Sequence, residues 1–151
     1  MQAFVGPNYP VYKRKWEKTE NNPGKTTWHW PAFLIGVAWM GYRKMYLASF
    51  IIIGVVCLIT FFEYLFGVSD RLSNVISIGI GMGLGFSGNA LYLWHVRNKL
   101  AAIEAVTPPD RLALEAARQG GTSVLAGIGM FLLLFVVLLV EIVVLEALLY
   151  G

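Results

Sequence analysis

Residues 28–46 read Trp28-His29-Trp30-Pro31-Ala32-Phe33-Leu34-Ile35-Gly36-Val37-Ala38-Trp39-Met40-Gly41-Tyr42-Arg43-Lys44-Met45-Tyr46, and the fold turns on what this stretch does. It separates a basic, proline-punctuated head from a body of apolar runs. Pro31 suits the first turn of a helix, where its missing N–H is not needed. A helix from Pro31 to Lys44 measures about 21 Å at ~1.5 Å per residue, against a hydrocarbon core about 30 Å thick. The stretch is too apolar for water and too short to cross a bilayer. It reads as an aromatic wedge, an interfacial or re-entrant amphipathic helix at the inner membrane surface.

The residues on either side fit that reading. Residues 1–27 form a polar head punctuated by Gly6-Pro7-Asn8, Tyr9-Pro10 and Asn21-Asn22-Pro23-Gly24, which argues against a long helix. Val11 to Glu20 can form a short one. Lys13, Arg14, Lys15, Lys18 and Lys25 make the head basic, and Trp16 among them suits a half-wet headgroup layer. After the wedge come three apolar runs, 45–66, 75–96 and 124–144, the last continuing apolar to Tyr150. The expected fold is an all-α membrane protein: three transmembrane helices plus the wedge, with 28–151 as one membrane domain. Between the second and third runs, 97–121 is a polar loop with helical pieces. Thr107-Pro108-Pro109-Asp110 reads as a helix start, Gly120-Gly121 as its end, and Thr122 and Ser123 as caps of the third span.

Composition supports the membrane class. Of 151 residues, 57% are apolar and 14% charged, where a soluble domain carries roughly 25% charged residues. No basic run is interleaved with aromatics in a nucleic-acid pattern, so nucleic acid is excluded as a partner. The first 30 residues hold no apolar core of a signal peptide. Cys57 is the only cysteine, which excludes a disulfide framework and a cysteine metal cluster within the chain.

Charge counting sets the orientation. If the wedge does not cross, eleven of the twelve Lys and Arg residues share one side and only Arg71 faces the other. If it crosses, the split is six against six. The positive-inside rule favours the first arrangement, with the N-terminus cytoplasmic and the C-terminus outside.

Few polar groups lie inside the spans. The second span carries Gly79, Gly81, Gly83, Gly85 and Gly88. At about 100° per residue, Gly81, Gly85 and Gly88 fall on one face and Gly79 and Gly83 on the opposite one. Small residues four apart let helix backbones approach closely, so this helix is expected to be central, packing within the bundle or against a partner. Asn89 needs a hydrogen-bond partner in lipid and reads as glue between helices. Glu63, Glu141 and Glu146 lie toward the outer ends of their spans, where Glu63 and Glu141 are candidates for an ion path and Arg71 a candidate ion-pair partner. His29 and His95 fall at the cytoplasmic interface and are candidate haem or metal ligands. Trp28, Trp30, Trp39, Tyr42, Arg43, Lys44 and Tyr46 form an aromatic-basic collar suited to lipid headgroups, with the cation among rings. No catalytic triad, phosphate loop, dinucleotide fingerprint or HExxH occurs. Gly79-Ile80-Gly81-Met82-Gly83 is glycine-rich, but it lies inside an apolar span.

Trp30-Pro31-Ala32-Phe33, Trp39, Tyr42-Arg43-Lys44-Met45-Tyr46, Gly88-Asn89-Ala90-Leu91-Tyr92 with His95, and Gly120-Gly121-Thr122-Ser123 together resemble a bacterial family of small inner-membrane proteins classed as a domain of unknown function. The aromatic-Arg-Lys-Met-Tyr block is the most specific of these landmarks. Two positions depart from the pattern: His29 stands where asparagine is expected, and Pro31 where a small residue is expected. The resemblance implies a membrane location and a cytoplasmic amphipathic helix leading into the spans, and it carries no activity.

The expected function is non-catalytic: an accessory or assembly subunit that packs against a larger membrane complex or itself, with no cofactor. A small oligomeric channel or carrier using Glu63, Glu141 and Asn89 is the alternative. A haem-bearing redox subunit using His29 and His95 is the third reading.

Overall fold

The computed structural model describes residues 1–21 and 27–150, with the backbone alone for Leu149 and Tyr150. Asn22-Pro23-Gly24, Lys25, Thr26 and Gly151 lie outside the described residues. The head comprises α1 (Gln2–Val5), a 3-10 turn (Gly6–Asn8) and α2 (Tyr9–Glu20). Then follow α3 (Trp30–Tyr42), α4 (Tyr46–Leu65), α5 (Asp70–Glu104), α6 (Leu112–Gln119) and α7 (Val124–Tyr150). Three helical segments, which contain α4, α5 and α7, are long and apolar enough to cross a membrane.

The head is more helical than its prolines suggest. Pro7 and Pro10 each fall in the first turn of a helical piece, where no N–H is required. Val5, Tyr9, Tyr12 and Trp16 recur at spacings of four, three and four, which puts them on one face. That face is packed inward, with Val5, Tyr12 and Trp16 buried and Tyr9 against them. Trp16 therefore does not sit in a headgroup layer. Its indole N–H donates to the Asn89 carbonyl at 3.0 Å.

Both ends of α3 are defined by side-chain and backbone geometry. At its start the Nδ1 of His29 accepts the Ala32 N–H at 3.0 Å, so His29 is the cap and the helix begins one residue before Pro31. At its end Lys44 adopts φ +59°, the left-handed conformation. The Lys44 N–H then donates to Gly41 at 2.9 Å and the Met45 N–H to Met40 at 2.8 Å, a Schellman closure. Ile35 is non-helical (φ −137°, ψ 38°), which bends the helix. The expectation of an amphipathic helix is not met. Trp30–Tyr42 contains no charged residue, because Arg43 and Lys44 fall beyond its last turn.

The loop assignment also shifts. α5 has 35 residues and measures about 52 Å at ~1.5 Å per residue, so it continues through the first part of the expected 97–121 loop. The next helix starts at Leu112, not after Thr107. Pro109 disfavours helical geometry at Pro108, and the Arg111 N–H closes a turn on the Pro108 carbonyl at 3.0 Å. Gly121 takes φ +74° where α6 ends. The Ser123 hydroxyl then caps α7 by accepting the Ala126 N–H at 3.2 Å.

Packing centres on α3, which is wedged between α5 and α7. Ala38 lies at Gly127, and the Tyr42 carbonyl accepts the Ser123 N–H at 2.8 Å, so α3 runs antiparallel to α7. On α5 Phe33 and Ala32 of α3 meet Gly81 and Gly88, and Trp28, just before α3, meets Gly85, while Trp39 and Arg43 meet Tyr92. The best-buried residues, among them Met40, Met45, Tyr92, Val96 and Val5, lie where the head, α3 and the second half of α5 converge. The first half of α5 and the second half of α7 expose apolar side chains, such as Val75 and Ile78 on α5 and Phe135 and Leu139 on α7.

The head is fastened to α6 through backbone. The Gly121 N–H donates to the Phe4 carbonyl at 2.7 Å, and Lys44 Nζ donates to the Gly120 carbonyl at 2.5 Å. A Cβ on Gly120 would collide with the Phe4 carbonyl, which is backbone and cannot swing away. Gly120→Ala is therefore expected to undock α1 and cost about 2 kcal/mol. Thermal unfolding in detergent and protease cleavage of the head measure this, and Gly129→Ala, which meets open space, serves as the neutral control.

Candidate functional site

The Tyr42-Arg43-Lys44-Met45-Tyr46 block lies where α3 ends and α4 begins. Because Lys44 turns the chain, Arg43 points back under the head. It is 4% exposed. Its guanidinium lies 4.8 Å from the centre of the Tyr12 ring, 5.1 Å from that of Tyr92 and 5.6 Å from that of Tyr42. Nη1 donates to the Tyr92 hydroxyl at 3.4 Å and to the Val5 carbonyl at 3.5 Å, and Nε is buried with no hydrogen-bond partner among the described residues. The ion pairs among the described residues are Lys13–Glu17, Arg97–Glu20 and Arg111–Asp110, so the Arg43 charge is met by rings and not by a carboxylate.

Around this cation the rings are contiguous. Tyr12 lies 4.8 Å from Tyr92 and 5.5 Å from Trp16, and His29 lies 4.3 Å from Trp39, centre to centre. His29 has both ring nitrogens engaged. Its Nδ1 is the acceptor for Ala32, so the ring proton is on Nε2 and donates to the Tyr12 hydroxyl at 3.2 Å. Burial, with Lys15 and Arg43 nearby, pushes its pKa down to about 4 and keeps it neutral. Lys15 donates to the Trp28 carbonyl at 3.2 Å, and burial pulls its pKa down as well.

Asn89 fastens the strap of residues 27–29 that leads into α3. Its amide donates to the Thr27 carbonyl at 2.7 Å and to the Thr27 hydroxyl at 2.9 Å. The His29 N–H donates to the Gly85 carbonyl at 2.9 Å. Between the head and α3 a cleft of about 480 Å³ remains, lined in part by Asn8, Lys15, His29, Tyr42 and Arg43. Its charged groups are two cations, with no carboxylate in the lining. Such a cleft is suited to binding an anionic or electron-rich group.

The collar residues identified in the sequence are divided by the fold. Trp39 and Arg43 are buried in the cluster, so they are not exposed to headgroups. Trp30 is 61% exposed, Tyr46 is exposed, and Trp28 packs flat against Gly85. Gly81, Gly85 and Gly88 are filled by Phe33, Trp28, His29 and Ala32 of the same chain, whereas Gly79 and Gly83 meet nothing. Only one glycine face of α5 is therefore occupied internally. Glu63 accepts a hydrogen bond from Ser73 and not from Arg71. Glu141 lies against Cys57. Each of these glutamates leaves one buried oxygen without a partner. Asn89 is sixteen residues beyond Ser73 on α5, about 24 Å away, so it does not share a site with Glu63. His95 packs against Phe4, whereas His29 faces Tyr12 and Trp39. With both nitrogens of His29 committed, metal ligation by His29 would break the cap or the Tyr12 bond. The parts that sequence reading missed are Tyr12 and Tyr92 as cage walls and His29 as a cap. The four-three-four spacing of Val5, Tyr9, Tyr12 and Trp16 was the available signal for the first of these walls.

The depressed His29 pKa has a sign. Between about pH 6.5 and 4 the unfolded chain binds a proton that the folded chain refuses, so its contribution is fully present above that window and is lost as pH falls through it. Each pH unit in the window costs about 1.4 kcal/mol. His29→Asn keeps a capping oxygen but cannot titrate. Melting temperature between pH 7 and pH 5 is expected to fall more steeply for the wild type than for His29→Asn, and parallel curves would refute this.

Residues 5–97 match the family described as "Protein of unknown function (DUF2628)". That span holds Tyr12, Trp16, His29, Tyr42, Arg43, Asn89 and Tyr92, which build the cage and its strap, and it leaves out α6 and α7. No curated protein and no solved structure matches the chain. The match covers more than half of the 151 residues, and the chain belongs to this family of proteins of unknown function.

Proposed function

We propose that this is a non-catalytic integral membrane protein of the bacterial inner membrane, an accessory or assembly subunit that associates through α5 with a larger membrane-protein complex or a second copy. The observation that carries the reading is the pair Gly79 and Gly83. They lie four residues apart on an apolar span, exposed, with open space where a Cβ would be. A neighbouring helix can approach such a pair closely. The second glycine face of the same helix is already filled by Trp28, His29 and the start of α3, so the open face is the one left for a partner. The cleft under the head supports binding more than chemistry, since His29, Lys15 and Arg43 are each held by hydrogen bonds or rings.

In this reading α3 is re-entrant. It returns from the level of Gly81 to Gly88 on α5 to the inner surface at Lys44, which keeps the head and the α5–α7 connection on one side. The charge distribution supports a cytoplasmic N-terminus and an outer C-terminus. The carrier reading has less support, because Glu63 on α4 is bonded to Ser73, about 24 Å along α5 from Asn89, and the haem reading has less because His29 is occupied.

Two measurements test the proposal. In mild detergent the wild type is expected to elute with a fixed partner or as a defined oligomer. Gly79→Leu combined with Gly83→Leu should weaken that association about tenfold or more while helicity is unchanged. A monodisperse monomer from native membranes, with nothing lost in the double variant, would sink it. For orientation, a reporter fused after Gly151 should be labelled from outside the cell and one at Met1 only after lysis; the reverse pattern would invert the topology.

A further inference from the structure

We infer that the gap between the inner ends of α4 and α5 is a binding site for one anionic phospholipid. At their outer ends these helices are joined by a short turn and by the Ser73–Glu63 hydrogen bond. Farther in they scarcely touch, because α4 rests on α3 and α7 instead. A continuous groove follows. Its inner half, about 330 Å³, is bordered by Lys44, Tyr46, His95, Asn98 and Lys99. Its deeper half, about 410 Å³, is walled by apolar groups including Met40, Ile51 and Ile52. Leu47, Ala48, Leu91 and Trp94 line both halves, which makes them one channel with a polar mouth and an apolar floor.

The two halves together select the occupant. The charged groups in the lining are Lys44 and Lys99, both cations, and no carboxylate lines either half. A soluble anion would use the mouth and leave the floor empty. A zwitterionic lipid would bring its own ammonium toward two lysines. A phosphate with a net negative headgroup, attached to an acyl chain, satisfies both halves. Lys44 is held in place, since its backbone is left-handed and its Nζ is anchored on the Gly120 carbonyl with N–H groups to spare. Trp94, 59% exposed between mouth and floor, presents an indole where an amphipathic ring is best placed. The site rests on α4 and α5 spanning the membrane and not on association through Gly79 and Gly83, so either can fail alone.

Native mass spectrometry of the full chain, titrated with phosphatidylglycerol or phosphatidylcholine, tests it. One phosphatidylglycerol is expected to bind about tenfold more tightly than phosphatidylcholine. Lys99→Glu should remove that preference, and Ala48→Leu, which fills the shared floor, should weaken both lipids. Lys99 is exposed, so its variant is informative even where Ala48→Leu fails to fold. Equal binding of the two lipids by the wild type, or a preference that survives Lys99→Glu, overturns the proposal. So does a change of oligomeric state in Lys99→Glu with the lipid preference intact, which would make the groove a protein contact.

Discussion

The structure depends on glycine where α3 meets its two neighbours. A Cβ on Gly85 would lie 2.7 Å from the Trp28 ring, one on Gly88 2.7 Å from the Ala32 methyl, and one on Gly41 2.7 Å from the Ala126 carbonyl. In lipid there is little hydrophobic gain when helices associate, so close van der Waals contact has to supply the attraction. Removing side chains along these lines of contact lets the 13-residue α3 lie against α5 and α7 at once. The rest follows from that placement. It sets His29 over Gly85 and Gly88, delivers Arg43 to Tyr92, and offers the Tyr42 carbonyl to the start of α7.

The Arg43 cage is the electrostatic consequence. An arginine stays charged, and moving it out of water costs several kcal/mol. A desolvated cation–ring contact returns up to about 2 kcal/mol, and three rings are within range. These contributions are of similar size, so the cage gives little net stability. What it leaves is a fixed positive charge in a cleft where Lys15 adds a second and His29 is held neutral. Charge is therefore kept where the head meets α3 and α5 at nearly no gain to the fold. The flat guanidinium also explains why the walls are tyrosines: each offers a face to the cation, and Tyr92 adds a hydroxyl as well.

The spans were legible in the sequence because a long run of apolar residues with almost no charge has few other meanings. The short length of α3 was legible for the same reason. Its surroundings were not. A cation between aromatic residues is the pattern of a headgroup anchor and equally of a buried cage. Only contacts 49 residues apart, such as Arg43 to Tyr92, separate the two. The head was underestimated because Gly6-Pro7-Asn8 and Pro10 read as breakers, although each proline occupies a first helical turn where it breaks nothing. The helix start at Leu112 was misplaced because Thr107 has the chemistry of a cap while Pro109 removes the geometry.

The two glycine faces of α5 differ in a way that periodicity alone cannot supply. Both have the same spacing, yet one is filled by the chain and the other is bare. Axial position does not explain this, since Gly83 lies between Gly81 and Gly85; the side of the helix does, because α3 and the residues just before it cover one face from Gly81 onward, while Leu72, Val75 and Ile78 of the first turns stay exposed. From Gly81 onward α5 is packed against its own chain on one face, and the face of Gly79 and Gly83 is left to whatever surrounds the helix.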